Sequence, residues 1–129
     1  MDELVGWLGA QLDEDERTAR AATLGPWVQS GIGDYGWTVD FGRPGAGVET
    51  ADTEQGLADA SFIAVHNPAR VLREIDATRR LLRAHEKWCE GRCEAKYPEG
   101  GFDAAHFWNI KLRAETYSDR PGYREEWRP

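Results

Sequence analysis

His85, Cys89 and Cys93 recur at intervals of four residues and His106 stands thirteen further on, a set of nitrogen and sulfur donors of the kind zinc prefers. Zinc takes four such donors in a tetrahedron, at roughly 2.0–2.3 Å. The spacing restricts this chemistry. In one unbroken helix His85 and Cys93 would stand about 12 Å apart, at roughly 1.5 Å per residue, too far to share an ion. A helix that ended at Gly91 would let Cys93 fold back towards Cys89, with His106 completing the set. The spacing is none of the usual short-loop zinc patterns, so the plain alternative stays open: a buried Cys89 thiol, a loop Cys93 and an ordinary helix His85. A bridge between Cys89 and Cys93 is disfavoured, because helical i,i+4 geometry lies near the limit of disulfide reach and the expected compartment is reducing.

Other chemistry is harder to find. His66 has no obvious catalytic companion, there is no serine nucleophile motif, and Asp13-Glu14-Asp15-Glu16 reads as a solvated helix face. Gly31-Ile32-Gly33-Asp34-Tyr35-Gly36 has the spacing of a dinucleotide fingerprint, but such a loop must open a helix, and Trp37-Thr38-Val39 follows as a strand. A hairpin loop is the better reading. Gly42 to Gly47 lacks the Gly-Lys-Ser/Thr of a phosphate loop. No catalytic residue is therefore assigned. Six tryptophans remain, of which Trp27, Trp37 and Trp108 are expected in or near the core and Trp7, Trp88 and Trp127 at helix flanks or in the tail. Large aromatics at partly exposed positions favour interfaces. Tyr123 and Trp127, four residues apart, share one side of a helical turn and are the candidate interaction residues, docking on their own domain or on a second copy.

Four helices and a small sheet must position these groups. Residues 2–22 predict an amphipathic helix, with Asp2 as its N-cap and Leu4, Val5, Leu8 and Leu12 as its apolar stripe. Residues 26–50 change to short β-type runs between glycine-rich turns, which predicts two or three antiparallel strands with Trp37, Val39 and Phe41 on one face. A short helix over 57–66 is apolar on most sides and is expected to be largely buried. Asn67 caps the next helix and Pro68 opens it, with His66 packing on Val71. That helix runs to about residue 90, with Val71, Ile75, Thr78, Leu82, His85 and Cys89 along one stripe and Arg73, Arg80 and Lys87 opposite. After Gly91 and the turn-rich Tyr97–Gly101, Asp103 caps a fourth helix that ends near Glu115. The expectation is one α+β domain over residues 1–129.

The chain carries a net charge of −7, with 12 of its 23 acids but only 3 of its 16 bases in residues 1–60. Phosphate-backbone binding draws on clustered Lys and Arg, so nucleic acid is not an expected partner. Neither a secretory signal nor a membrane span is read, which points to the cytoplasm.

Three motifs carry a resemblance. Gly25-Pro26-Trp27, the run from Asp59-Ala60 through Ile63-Ala64-x-His66-Asn67-Pro68-Ala69-Arg70-Val71-Leu72, and Arg120-Pro121-Gly122-Tyr123-Arg124-Glu125-Glu126-Trp127 resemble a family of small uncharacterised actinobacterial and phage proteins, known only as a domain of unknown function. The likeness spans essentially the whole chain. The middle motif is similar, more distantly, to short phage accessory proteins. Members of the resembled family often carry cysteines between the long helix and the tail, where this chain has Cys89 and Cys93. The resemblance implies no activity. Its residues favour an accessory or regulatory protein acting by protein–protein interaction, with a structural zinc-binding module and an enzyme as rival readings.

Overall fold

The computed structural model describes residues 2–96 and 98–129, the side chain of Asp2 excepted. The expected Asp2 cap and Tyr97 therefore lie outside the described residues. Along the chain run α1 (Asp2–Ala21), β1 (Val28–Ile32), β2 (Trp37–Asp40), β3 (Gly47–Glu49), α2 (Glu54–Val65), α3 (Pro68–Trp88), α4 (Gly101–Glu115) and a closing 3-10 turn, η1 (Glu125–Trp127). The fold is α+β, with a three-stranded antiparallel sheet in the order β1-β2-β3. Two compact units share it: residues up to Glu14 with Ile75–Pro129, and Asp15–Glu74. No described helix is long and apolar enough to cross a membrane.

In the Asp15–Glu74 unit, α2 lies against β1 and β2, and Val39 is buried. Trp27 stacks on Phe41 with ring centroids 3.9 Å apart and donates its indole N–H to the Thr23 carbonyl. The glycine spacing at 31–36 belongs to the β1–β2 hairpin, closed by the Gly33 N–H on the Gly36 carbonyl at 2.8 Å. A Cβ on Gly36 would collide with the Thr50 carbonyl, so packing of the neighbouring chain demands glycine there. α2 begins at Glu54, earlier than its apolar run, because the Thr53 side chain caps it by accepting the Gly56 N–H at 2.9 Å. Its expected burial is not found. Only Gly56 and Ala60 are buried, while Leu57, Phe62 and Val65 are exposed. Asn67 caps α3 as expected, its Oδ1 accepting the Arg70 N–H at 3.0 Å. The His66 ring lies on Phe62, with centroids 4.1 Å apart.

In the other unit, Leu4, Leu8, Leu12, Ile75, Phe107, Ile110, Ala114 and Trp127 are buried. Trp108, expected in or near the core, is 52% exposed, whereas Trp127, expected to dock with the tail, is only 8% exposed. Phe107, Ile110 and Ala114 form the inner stripe of α4, and Trp108 is turned about 100° from Phe107 around the helix. Trp127 is covered because the tail folds back on α1. The Trp7 indole N–H donates to the Pro121 carbonyl at 3.0 Å, and the Trp7 ring lies 5.6 Å from Tyr123 and 5.5 Å from Trp127. Gly122, at φ +91°, makes room for this: a Cβ there would stand 2.7 Å from the Trp7 Nε1. Arg124 pairs with Glu3, while Arg128 pairs with Glu115 at 3.0 Å and Glu125 at 2.9 Å.

Candidate metal centre

α3 stops at Trp88, and Gly91 at φ +90° turns the chain back. A left-handed glycine just past a helix is the ordinary way to reverse direction without strain. One donor atom each from His85, Cys89 and Cys93 consequently lies within 4.8 Å of the others. A tetrahedral ion with bonds of roughly 2.0–2.3 Å has donor–donor edges of roughly 3.3–3.8 Å, so closure asks for shifts of about 1 Å. All three side chains are half-buried. Cys93 also lines an open cavity of 930 Å³, which gives a path to the thiol from solvent.

α4 anchors the turn. The Asp103 carboxylate, 4% exposed, accepts the N–H of Glu90 at 2.8 Å and of Arg92 at 3.1 Å. It is not the helix cap that its position suggests: α4 starts at Gly101, and Asp103 serves the preceding turn instead. Burial works against its charge, but the two backbone N–H bonds and one from the Cys89 thiol outweigh that and hold its pKa below the ordinary carboxylate value. Gly100 permits the close approach, since a Cβ there would stand 2.7 Å from the Arg92 carbonyl oxygen. The Gly91 N–H donates to the Cys89 Sγ at 3.4 Å. Burial, then the hydrogen bond and charge of Cys89 and the charge of Glu94, raise the Cys93 pKa. A divalent cation between the sulfurs would reverse that balance.

His106 is on α4, three residues beyond Asp103. Its ring stacks against His85 with centroids 6.1 Å apart, and its Nδ1 is buried with no hydrogen-bond partner among the described residues. His106 is outside the group of three whose donor atoms converge, and its ring packs on His85 and Phe102, so its unpartnered nitrogen is at most a candidate fourth ligand. The donor chemistry, two sulfurs and two imidazoles, suits Zn²⁺ over Mg²⁺ or Ca²⁺.

Of the other singled-out residues, Tyr123 and Trp127 lie in the tail against Trp7, with Tyr123–Trp127 centroids 5.8 Å apart. His66 shares a 310 Å³ cavity with Asp15, Trp27 and Val71, and its Nδ1 lies 3.0 Å from the Phe62 carbonyl oxygen. Sequence reasoning missed Asp103 as an anchor. An aspartate three residues from a candidate histidine ligand was the available signal, but its partners come from a turn eleven and thirteen residues away.

The whole chain, residues 1–129, matches a family of unknown function, DUF6221. Neither a search of curated proteins nor one of solved structures returns a match.

Proposed function

As the chain belongs to that family of unknown function, we propose from its own site that it is a non-catalytic accessory module, completed by a structural zinc ion and acting by binding another macromolecule. The observation that carries the metal reading is the convergence of His85, Cys89 and Cys93 within 4.8 Å, on a turn pinned by Asp103. His106 supplies the fourth donor, which makes the centre closed and structural rather than open and catalytic. Zinc there would tie the end of α3 to the start of α4. The binding role draws support from the apolar surface left exposed, Phe62 at 64% and Trp88 at 55%.

The test uses the full chain with its thiols kept reduced. Titration with Co²⁺ should give the charge-transfer and ligand-field bands of a tetrahedral thiolate site at one equivalent, displaced by Zn²⁺. Cys89→Ser and Cys93→Ser should each abolish the bands, and His106→Ala should alter their pattern. A parent protein that takes up no stoichiometric metal, or serine variants that bind as the parent does, would overturn the reading.

A further inference from the structure

α2 is the most apolar of the described helices, yet its outward face is largely exposed, the His66 ring stacking on Phe62 at its edge. Leu57, Ala58, Phe62 and Val65 are all exposed, with the small Ser61 exposed between them. The five fall within an arc of roughly 140° at 100° per residue, along two i,i+4 ridges. Glu54 begins the same arc, one turn before Leu57. Only the opposite side, through Gly56 and Ala60, is buried. An amphipathic surface helix normally turns its apolar stripe inward, and contiguous exposed apolar residues of this kind mark an interface.

We propose that this face binds the same face of a second copy, with the two α2 helices antiparallel. The stripe is complementary to itself under a two-fold axis passing Ser61. That axis sets Leu57 of each copy opposite Val65 of the other and seats each Phe62 over the small pair Ala58 and Ser61. Large on small is how facing ridges interlock, and an isologous contact requires that one patch supply both. The one polar group on the axis suits the position, because a hydroxyl both donates and accepts and two Ser61 side chains can satisfy each other. The charges agree. Asp52 and Glu54 flank the start of α2, and Arg73 lies past its end on α3, beside Arg70, which is paired with Glu74 at 3.1 Å. Neither Glu54 nor Arg73 forms an ion pair among the described residues. Antiparallel packing brings the acidic end of each copy to the basic end of the other, whereas parallel packing would set like charges together. The two helix dipoles oppose in the same arrangement. One helix face per copy is a small interface, so the dimer belongs to the weak, reversible class. This inference does not rest on the metal reading, because its residues and those of the candidate metal centre are different.

Sedimentation equilibrium of the full chain tests it, run with a chelator present so that metal-bridged association does not contribute. The parent should show a concentration-dependent monomer–dimer equilibrium. Phe62→Glu should raise the dissociation constant at least about tenfold, and its 64% exposure means that the change removes little from the core. Val65→Lys, at a position 52% exposed, gives the same readout should Phe62→Glu fail to fold. Glu54→Arg should weaken the dimer, and adding Arg73→Glu should restore it. A parent that stays monomeric at every concentration overturns the proposal, whether or not it captures a different protein. So does a dimer that the folded Phe62→Glu and Val65→Lys variants leave unchanged.

Discussion

Asp103 shows how a single carboxylate can decide whether three donors are a site or a coincidence. It touches no ion, yet the N–H groups it accepts belong to Glu90 and Arg92, which stand between Cys89 and Cys93. Loss of such a supporting contact typically weakens metal affinity about 10- to 100-fold. If the proposed site binds zinc, Asp103→Asn is therefore expected to keep the proposed ligands and still release the ion to a weaker chelator, which competition with a coloured chelator would measure. An unchanged affinity would mean that the turn holds itself. The cluster of His85, Cys89 and Cys93 was legible in the sequence, because His and Cys at intervals of four stand out by type alone. The anchor was not. An aspartate near a helix start reads as a cap, and only the backward turn at Gly91 offers it the N–H groups of another segment.

At the scale of elements, the tail is the clearest case of a motif explained by packing. Six residues of the tail have defined places: Pro121 gives its carbonyl to Trp7, Gly122 clears the indole, Tyr123 and Trp127 meet its ring, and Arg124 and Arg128 tie down acids on α1 and α4. Trp127→Ala should lower stability by about 3–5 kcal/mol, read by thermal or denaturant unfolding. Gly122→Ala should cost about 1–3 kcal/mol, since the alanine must hold a left-handed φ and displace Trp7. Titration should loosen the tail from both sides. Burial first, then Glu115 and Glu125 against the opposing Arg128, raise the Tyr123 pKa. Its contribution is thus complete below the unfolded value of about 10 and is lost as pH rises through the higher folded value. Glu125 is lowered by Arg128, so its contribution is present above about 4.3 and is lost as pH falls through the folded value. Tryptophan fluorescence should report both limbs, and Tyr123→Phe should remove the alkaline one alone. The helices and the sheet were readable from periodicity. The exposure of α2 and of Trp108 was not, because composition tells how apolar a segment is and not which surface meets it.

For the molecule as a whole, a structural ion that binds only the folded chain must raise its stability by mass action, by about 2.7 kcal/mol at a hundredfold excess over the dissociation constant. Zinc is expected to raise the melting temperature and excess chelator to reverse it, while Cys89→Ser with Cys93→Ser should melt alike with and without the ion. The units have unequal histories within the chain. Asp15–Glu74 is continuous, whereas the other unit joins residues up to Glu14 with Ile75–Pro129. Trp7 thus waits for a carbonyl 114 residues later. On the ribosome the continuous unit has its full sequence first, and the Leu4, Leu8, Leu12 stripe emerges long before the tail that shields Trp7. Nascent chains arrested before Pro121 should therefore be held by chaperones that recognise apolar segments, and chains long enough to expose Trp127 beyond the exit tunnel should be let go, because only then can the ring that shields Trp7 dock.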